Sequence, residues 1–230
     1  MVQYGTDGVL DVAYDFYTDL YTSGGSDPAA ETYALGRLDV RLSQETRDRC
    51  DVGRNVTVDG LGDALRSLQN GKAPGSDGLP AEFWKFFWAD VREDFCEVVQ
   101  WIYDSEMLTE SMAGGILRLL YKKGDRLDVG NYRPLSLINA DYKIISKYFA
   151  ILMAGALPEL IGEEQTCVPG RLISTNLHIL RDTIDYCDHT NTPAAIISLD
   201  QEKCFDRVEH GFMLRAVSYT HLTLPTTPYV

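Results

Sequence analysis

Asp200 follows directly after Ala194 to Leu199, an apolar run that has the length and composition of a buried strand. Such a strand fixes its own backbone, and a carboxylate at its end can offer oxygen ligands to a hard cation such as Mg²⁺. The alternative is that Asp200 only caps the loop before the next helix. Phe205, five residues further on, can turn back and present a ring face to a bound molecule, or it is an ordinary core residue.

A short basic segment lies within an acidic chain. The 230 residues carry 21 Lys and Arg against 34 Asp and Glu, a formal charge of -13, so the surface as a whole does not attract a polyanion. Residues 118–147 reverse that sign, to a net charge of +4. Their basic residues are Arg118, Lys122, Lys123, Arg126, Arg133, Lys143 and Lys147. The segment fits a phosphate-contacting surface, and a solvated hairpin is the alternative.

Several protein classes are excluded by motifs that the sequence lacks. Residues 71–78 are rich in glycine but do not have the Gly-x-x-x-x-Gly-Lys-Ser/Thr order of a phosphate loop, and no Gly-x-Ser-x-Gly or His-x-x-x-His motif occurs. Five cysteines without Cys-x-x-Cys spacing indicate reduced thiols. No apolar run approaches the ~20 residues that span a bilayer, and no signal peptide is visible. We therefore expect an intracellular protein without a membrane segment.

The spacing of apolar residues predicts a mainly helical chain with one hairpin. Helices are predicted over residues 7–21, 57–70, 90–104, 140–157 and 173–188. A further helix is predicted to start at Pro80, and a short one near residues 43–50 within a loosely packed connector. Two short runs, 116–121 and 132–138, flank a turn region and predict an antiparallel hairpin that carries the basic segment. The run at 194–199 predicts a strand covered on both faces, with a helix from about Arg207.

Five short motifs follow one another along the chain. They are Gly71-Lys-Ala-Pro-Gly-Ser-Asp-Gly-Leu-Pro80 before a helix rich in Phe and Trp, Tyr121-Lys-Lys-Gly-Asp125, Asn131-Tyr-Arg-Pro-Leu-Ser-Leu137, Gln165 to Arg171, and Ser198-Leu-Asp-Gln-Glu-Lys-Cys-Phe-Asp206. In this order they resemble the reverse transcriptase of LINE-type (non-LTR) retrotransposons. The resemblance covers about residues 57–217, and the order of all five motifs makes it specific.

The resemblance implies an α/β (α+β) fold that comprises the fingers and a truncated palm of a right-hand polymerase, mainly helical with a basic β-hairpin. Residues 57–190 would form the fingers of the reverse transcriptase domain, residues 191–217 the start of the palm, and residues 1–56 an N-terminal connector. Residues 218–230 leave the family pattern and resemble translated sequencing-adapter peptides. We expect them to be a disordered, non-native tail, with a divergent native C-terminus as the alternative.

The resemblance also implies roles for single residues. Asp200 matches the first catalytic, metal-binding aspartate, which in the family binds Mg²⁺. Phe205 matches the aromatic gate that packs on the sugar of the incoming dNTP and excludes a ribose 2′-hydroxyl. Lys122 and Arg133 match the two fingers residues that grip the triphosphate, a task for which a point charge and a forked guanidinium are both suited.

The partners implied are an RNA template, a DNA primer and a dNTP, and no membrane. Lys72 and Arg171 match positions next to the template backbone. The reaction implied is attack of the primer 3′-hydroxyl on the α-phosphorus of the dNTP, with two Mg²⁺ ions that activate the nucleophile and the leaving group.

The sequence departs from the family pattern in three places. The Gln165 to Arg171 stretch is one residue short, which affects the placing of Arg171, and Cys204 stands where the family has a small Ala. No Asp-Asp pair follows Asp200, and one carboxylate cannot hold two divalent ions about 4 Å apart. We therefore expect the isolated chain to be inactive as a polymerase. We also expect the apolar run at 194–199 to keep an open edge and an open apolar face and the palm portion to be disordered, because in the family the partners of this strand come from a downstream hairpin. The alternative function is a noncatalytic nucleic-acid- or protein-binding module derived from a truncated retroelement.

Overall fold

The computed structural model describes residues 6–50, 56–162, 164–165 and 168–220. In chain order its elements are α1 (Thr6–Tyr21), α2 (Pro28–Gly36), α3 (Gln44–Cys50), α4 (Val58–Ser67), α5 (Ala81–Ser105), α6 (Glu110–Ala113), β1 (Gly115–Tyr121), a 3₁₀ turn (Val129–Asn131), β2 (Tyr132–Ile138), α7 (Ala140–Ala154), α8 (Leu157–Leu160), α9 (Ile173–Thr190) and α10 (His210–Tyr219). They fall into two compact units. The first lies within residues 1–24 and 51–151, and the second within residues 25–50 and 152–223.

The core of the first unit is built around α4. Thr57 caps this helix, because its hydroxyl accepts a hydrogen bond of 3.2 Å from the Gly60 N–H, as the sequence predicted. Leu61, Ala64 and Leu65 are buried on one face of α4, which packs against α5. Burial of a leucine side chain contributes about 1.5–3 kcal/mol, so this face accounts for much of the local stability.

One continuous helix, α5, replaces the two that were predicted from Pro80 and over residues 90–104. Pro80 is the N-cap residue, and no Gly or Pro follows it before Ser105. Asp90 therefore lies inside the helix, where an exposed carboxylate is tolerated. The prediction of a break at this point was wrong.

The predicted hairpin is confirmed. Strands β1 and β2 pair antiparallel, from Gly115 opposite Ile138 to Tyr121 opposite Tyr132. The rings of Tyr121 and Tyr132 meet edge to face with centroids 5.6 Å apart, a contact that stabilises a cross-strand pair. Among the described residues these two strands form the sheet, so the fold is mainly helical with a small two-stranded sheet. This agrees with the α+β prediction, whereas the division into fingers and palm stays a prediction.

The second unit has more helix at its start than the sequence indicated. Helix α2 was not predicted, although Asp27 and Pro28 form a recognisable start: the Asp27 carboxylate accepts the N–H of Ala29 at 2.9 Å, and Pro28 occupies the first turn. The short helix predicted near residues 43–50 is confirmed as α3. The buried core of the second unit contains Leu42, Cys50 and Ala156.

Several predicted helix ends differ in the structure. The helix predicted over residues 57–70 ends at Ser67, and the one predicted over residues 173–188 continues to Thr190. The helix predicted over residues 140–157 ends at Ala154, and Pro158 lies in the first turn of the short helix α8. Proline fits there because the first turn of a helix needs no N–H donor. The helix expected from about Arg207 begins at His210.

The apolar run at 194–199 forms no strand. Ile196, Ile197 and Leu199 are 64%, 78% and 90% exposed. A strand that is covered on both faces needs partner strands beside it, and the described part of the chain brings none to this run. The strand is therefore not formed in this structure, and the exposure of its apolar side chains agrees with the expectation that this chain leaves the run partly open.

The predicted tail falls largely outside the described residues, which end at Thr220. Ser218 and Tyr219 belong to α10. None of the helices in the described part of the chain combines the length and the apolar character that crossing a bilayer requires.

Candidate nucleotide and nucleic-acid interface

Three cations share one face of the hairpin. Side chains alternate between the faces of a strand, and directly opposed residues share a face. Arg118 is opposite Leu135, and Arg133 is opposite Leu120. Lys122 follows two residues after Leu120, and its N–H continues the pairing by donating to the Asn131 carbonyl at 2.9 Å.

We call this set of Arg118, Lys122 and Arg133 the basic face. All three side chains are exposed. Lys122 and Arg133 are diagonal neighbours in the ladder, a relation that places β-carbons roughly 7–8 Å apart. A polyphosphate chain can span that distance. The two residues predicted to bind the triphosphate, Lys122 and Arg133, therefore lie close enough to contact the same ligand.

Two tyrosines on the other face fix the hairpin turn. The Tyr121 hydroxyl donates to the Gly124 carbonyl at 2.7 Å, and the Tyr132 hydroxyl donates to the Arg126 carbonyl at 3.0 Å. The Arg126 guanidinium in turn lies over the Tyr121 ring, 4.9 Å from its centroid. These contacts fix the conformation of the turn from the face opposite the basic face. The backbone that carries Lys122 is therefore held in a defined position.

Lys72 lies on the exposed part of the glycine-rich loop, residues 71–78. This loop is anchored by Asn139, which is 1% exposed at the end of β2. The Asn139 amide oxygen accepts from the Ser76 hydroxyl and the Asp77 N–H, both at 3.3 Å. Its amide nitrogen donates to the Ser111 carbonyl at 2.9 Å. Because both the oxygen and the nitrogen of this buried amide form hydrogen bonds, Asn139 fixes the loop in place next to the hairpin.

Helix α5 ties the start of the same loop. The Glu82 carboxylate accepts the N–H of Gly71, and the Lys85 ammonium donates to the Leu68 carbonyl at 2.6 Å and to the Asn70 amide oxygen at 2.7 Å. The hydrogen bond from Gly71 holds the pKa of Glu82 below its usual value. The loop that carries Lys72 is thus fixed at both ends.

A cavity of about 480 Å³ opens between this loop, the start of α5, β2 and the start of α7. Its walls are mainly apolar, and Lys72 and Lys143 both line it. The Lys143 ammonium donates to the Ala73 carbonyl at 3.4 Å. Beside Lys143, burial and then the charge of Asp77 raise the pKa of Asp141.

Arg171 is committed to its own loop in the second unit. Its guanidinium donates to the carbonyl oxygens of Gly162, Gln165 at 3.2 Å and Ile161 at 2.9 Å. These bonds give Arg171 a structural task that its sequence context did not reveal. Its expected contact with a template backbone stays a prediction.

Asp200 and Phe205 also belong to the second unit, on the segment between α9 and α10. Asp200 is exposed, and Phe205 is 95% exposed on a turn in which Lys203 has a φ of 50°. Among the described residues no three His, Cys, Asp or Glu side chains lie close enough to hold a metal ion. Mg²⁺ requires a near-octahedral set of oxygens, so the described residues around Asp200 do not fit an assembled magnesium site.

Sequence reasoning missed two functional features. Arg118 was counted in the basic segment but not as a partner of Lys122, although both numbers are even and alternation places them on one face. Asn139 was not identified at all, because its contacts with Ser76 and Ser111 come from distant parts of the sequence.

Comparison with known proteins shows what the chain is similar to. Residues 121–230 match the family described as reverse transcriptase (RNA-dependent DNA polymerase). Over 209 residues, 90% of this chain, the sequence is 36% identical to the transposon TX1 uncharacterized 149 kDa protein of Xenopus laevis. The chain spans 16% of the length of that relative. The match of residues 121–230 to the reverse transcriptase family and the similarity to a transposon protein confirm the resemblance to LINE-type retrotransposon enzymes that the motifs indicated.

Proposed function

We propose that the chain acts in RNA-templated DNA synthesis and that its basic face binds the triphosphate of the incoming dNTP. The observation that carries this proposal is the position of Arg118, Lys122 and Arg133 on one face of a hairpin whose second strand lies within the residues that match the reverse transcriptase family. The whole chain has a charge of -13, so an exposed group of three cations, two on the seven-residue strands and Lys122 directly after β1, is a local exception. Local positive charge of this kind selects phosphate.

The three cations are suited to different parts of the ligand. Arg133 and Arg118 present forked N–H donors that can bind two phosphate oxygens at once, whereas Lys122 acts as a point charge. Held on a rigid hairpin, they would fix the leaving diphosphate and so orient the α-phosphorus towards the primer 3′-hydroxyl. Positioning of this kind is the main contribution that a protein makes to phosphoryl transfer.

The remaining predicted roles complete the proposal. Phe205 would exclude a ribose 2′-hydroxyl, Lys72 and Arg171 would contact the template backbone, and Asp200 would be the first catalytic carboxylate. Residues 57–190 would act as fingers and residues 191–217 as the start of the palm, inside the cell, where RNA templates and dNTPs occur. A divalent ion bound at the complete site would supply the charge stabilisation that nucleotidyl transfer requires.

We also propose that the 230-residue chain by itself binds these ligands without extending a primer. Its sequence contains no Asp-Asp pair to accompany Asp200, and the described residues bring no such cluster to it. Primer extension on an RNA template by the purified chain, lost in Asp200→Ala, would contradict this part of the proposal.

Calorimetric titration with dATP tests the basic face. We expect a Lys122→Ala, Arg133→Ala double variant to bind at least tenfold more weakly than the wild type, because two charge-assisted phosphate contacts are removed. Lys123→Ala is the matched control, since it removes a lysine next to Lys122 that is not part of the basic face, and its affinity should stay within twofold. Equal affinity of the double variant and the wild type would refute the proposed role.

A further inference from the structure

The cavity beside Lys72 has the volume and the lining of a small-molecule site. Its volume of about 480 Å³ lies in the range of small-molecule sites, and its apolar walls include Leu135, Leu137, Pro74 and Pro80. Leu137 lies near the end of the hairpin that is away from the turn, and Leu135 lies opposite Arg118 in the middle of the strands. The cavity therefore adjoins the basic face, but its lining cations are Lys72 and Lys143 and not those of the basic face.

The walls of the cavity are held in place before any ligand binds. Asn139 fastens the loop to the end of β2, and Lys85 and Glu82 fasten its start to α5. Gly75 packs so closely on Asn139 that the loop cannot shift towards β2. A preformed site of this kind loses little conformational entropy on binding.

The charge of the cavity selects an anion. Lys72 and Lys143 both line it, and none of its lining residues is acidic. The Lys143 ammonium uses one donor on the Ala73 carbonyl and keeps others for a ligand. Two ammonium groups at the edge of an apolar pocket match one anionic group on an apolar body.

We propose that this cavity binds a small organic anion with an apolar body, of the aryl carboxylate class. A nucleotide fits less well, because the edges of a base carry several polar groups and the uncharged polar side chains that line the cavity are those of Gln69 and Ser136. Base edges left without partners would oppose binding. An aromatic hydrocarbon body has no such requirement. Lys72 is also the residue proposed to contact the template backbone, so binding of the organic anion is measured on the chain alone, without template or primer.

Calorimetric titration of the full chain with 2-naphthoate tests the proposal, with the neutral 2-naphthamide and deoxyadenosine monophosphate as comparison ligands. We expect saturable binding of one naphthoate per chain and at least tenfold weaker binding of the amide and of the nucleotide. Absence of naphthoate binding, equal binding of the amide, or tighter binding of the nucleotide would each overturn the proposal.

Variants locate the site. A Lys72→Gln, Lys143→Gln double variant should lose at least tenfold in naphthoate affinity. Lys147→Gln, one turn further along α7 and exposed, should bind as the wild type does. Leu137→Gln, which makes one wall polar, should weaken binding independently of charge. If the lysine double variant and Leu137→Gln both bind naphthoate as tightly as the wild type while remaining folded by circular dichroism, the cavity is not the binding site.

Discussion

Gly75 lies against Asn139 so closely that no side-chain carbon fits between them. A Cβ atom on Gly75 would meet the amide oxygen of Asn139 and would lie 2.6 Å from the Ile138 carbonyl carbon. The backbone on one side and a buried, fully used amide on the other cannot move aside. This contact sets the distance between the loop that carries Lys72 and the end of β2.

Substitution of Gly75 by alanine should therefore destabilise the first unit. Overpacking at a rigid contact costs about 1–3 kcal/mol, so we expect a clear fall in the urea midpoint followed by tryptophan fluorescence. Gly114→Ala is the control, because its Cβ would lie 3.6 Å from the Glu110 carbonyl oxygen, an ordinary contact. Equal midpoints for Gly75→Ala and Gly114→Ala would show that the loop can yield.

The Glu159 carboxylate makes the second unit sensitive to acid. It accepts hydrogen bonds from the Thr46 hydroxyl and from the Ser43 N–H, the latter at 2.9 Å, and these bonds hold the pKa of Glu159 below its usual value. A lowered folded pKa gives stability that is present above the unfolded pKa of about 4.3 and is lost as the pH falls through the folded pKa.

We therefore expect Glu159→Gln to reduce the loss of stability between pH 7 and pH 3, measured by urea unfolding and circular dichroism. Glu202→Gln, an exposed carboxylate of the same unit, should leave the pH dependence as it is in the wild type. A Glu159→Gln variant with the pH profile of the wild type would mean that these hydrogen bonds do not contribute to acid sensitivity.

Binding of single-stranded RNA should depend on salt through the basic face. Each phosphate contact on a single strand adds about 0.7 to the slope of log affinity against log salt, so a Lys122→Ala, Arg133→Ala double variant should show a slope smaller by about 1.4. This slope is measured by fluorescence anisotropy at salt concentrations from about 50 to about 200 mM, the range in which phosphate contacts lose affinity. Arg181→Ala on α9 is the control. An unchanged slope in the double variant would place RNA binding elsewhere.

The apolar run at Ile196 to Leu199 should exchange its amide hydrogens rapidly. Its residues belong to no helix or strand, and the Leu199 side chain is 90% exposed. Amides without stable hydrogen bonds open at almost no cost in free energy. We expect exchange within seconds there, and strong protection at Leu61 to Leu65 in the same sample. Slow, cooperative exchange at Ile197 would mean that the run is paired in solution.

Local sequence signals predicted the elements that depend on near neighbours. The hairpin followed from alternating residues on either side of the turn, and the start of α4 followed from the Thr57 cap. The continuity of α5 was missed because separate helices were predicted from Pro80 and over residues 90–104, although nothing between them breaks the helix. A polar residue such as Asp90 can begin a helix or lie on the exposed face of a longer one, and the sequence alone does not distinguish the two cases.

Tertiary partners explain the remaining differences. The strand expected at Ile196 to Leu199 requires neighbouring strands, and no periodicity within six residues can supply them. Arg171 was predicted to contact a template from its place in a motif, whereas three carbonyl groups of its own loop bind it in the structure. The hairpin places Lys122 and Arg133 on one face, as alternation along the strands predicts, and their binding of a triphosphate stays a prediction.

The strict alternation of the hairpin limits how its length can vary. Deleting one residue of β1 between Arg118 and Lys122 would turn one of these cations to the side where Tyr121 and Tyr132 hold the turn. Deleting two residues would shorten the hairpin but leave Arg118 and Lys122 on the same face. Viable descendants of this element should therefore differ by even numbers of residues in the strands, with odd changes confined to the turn.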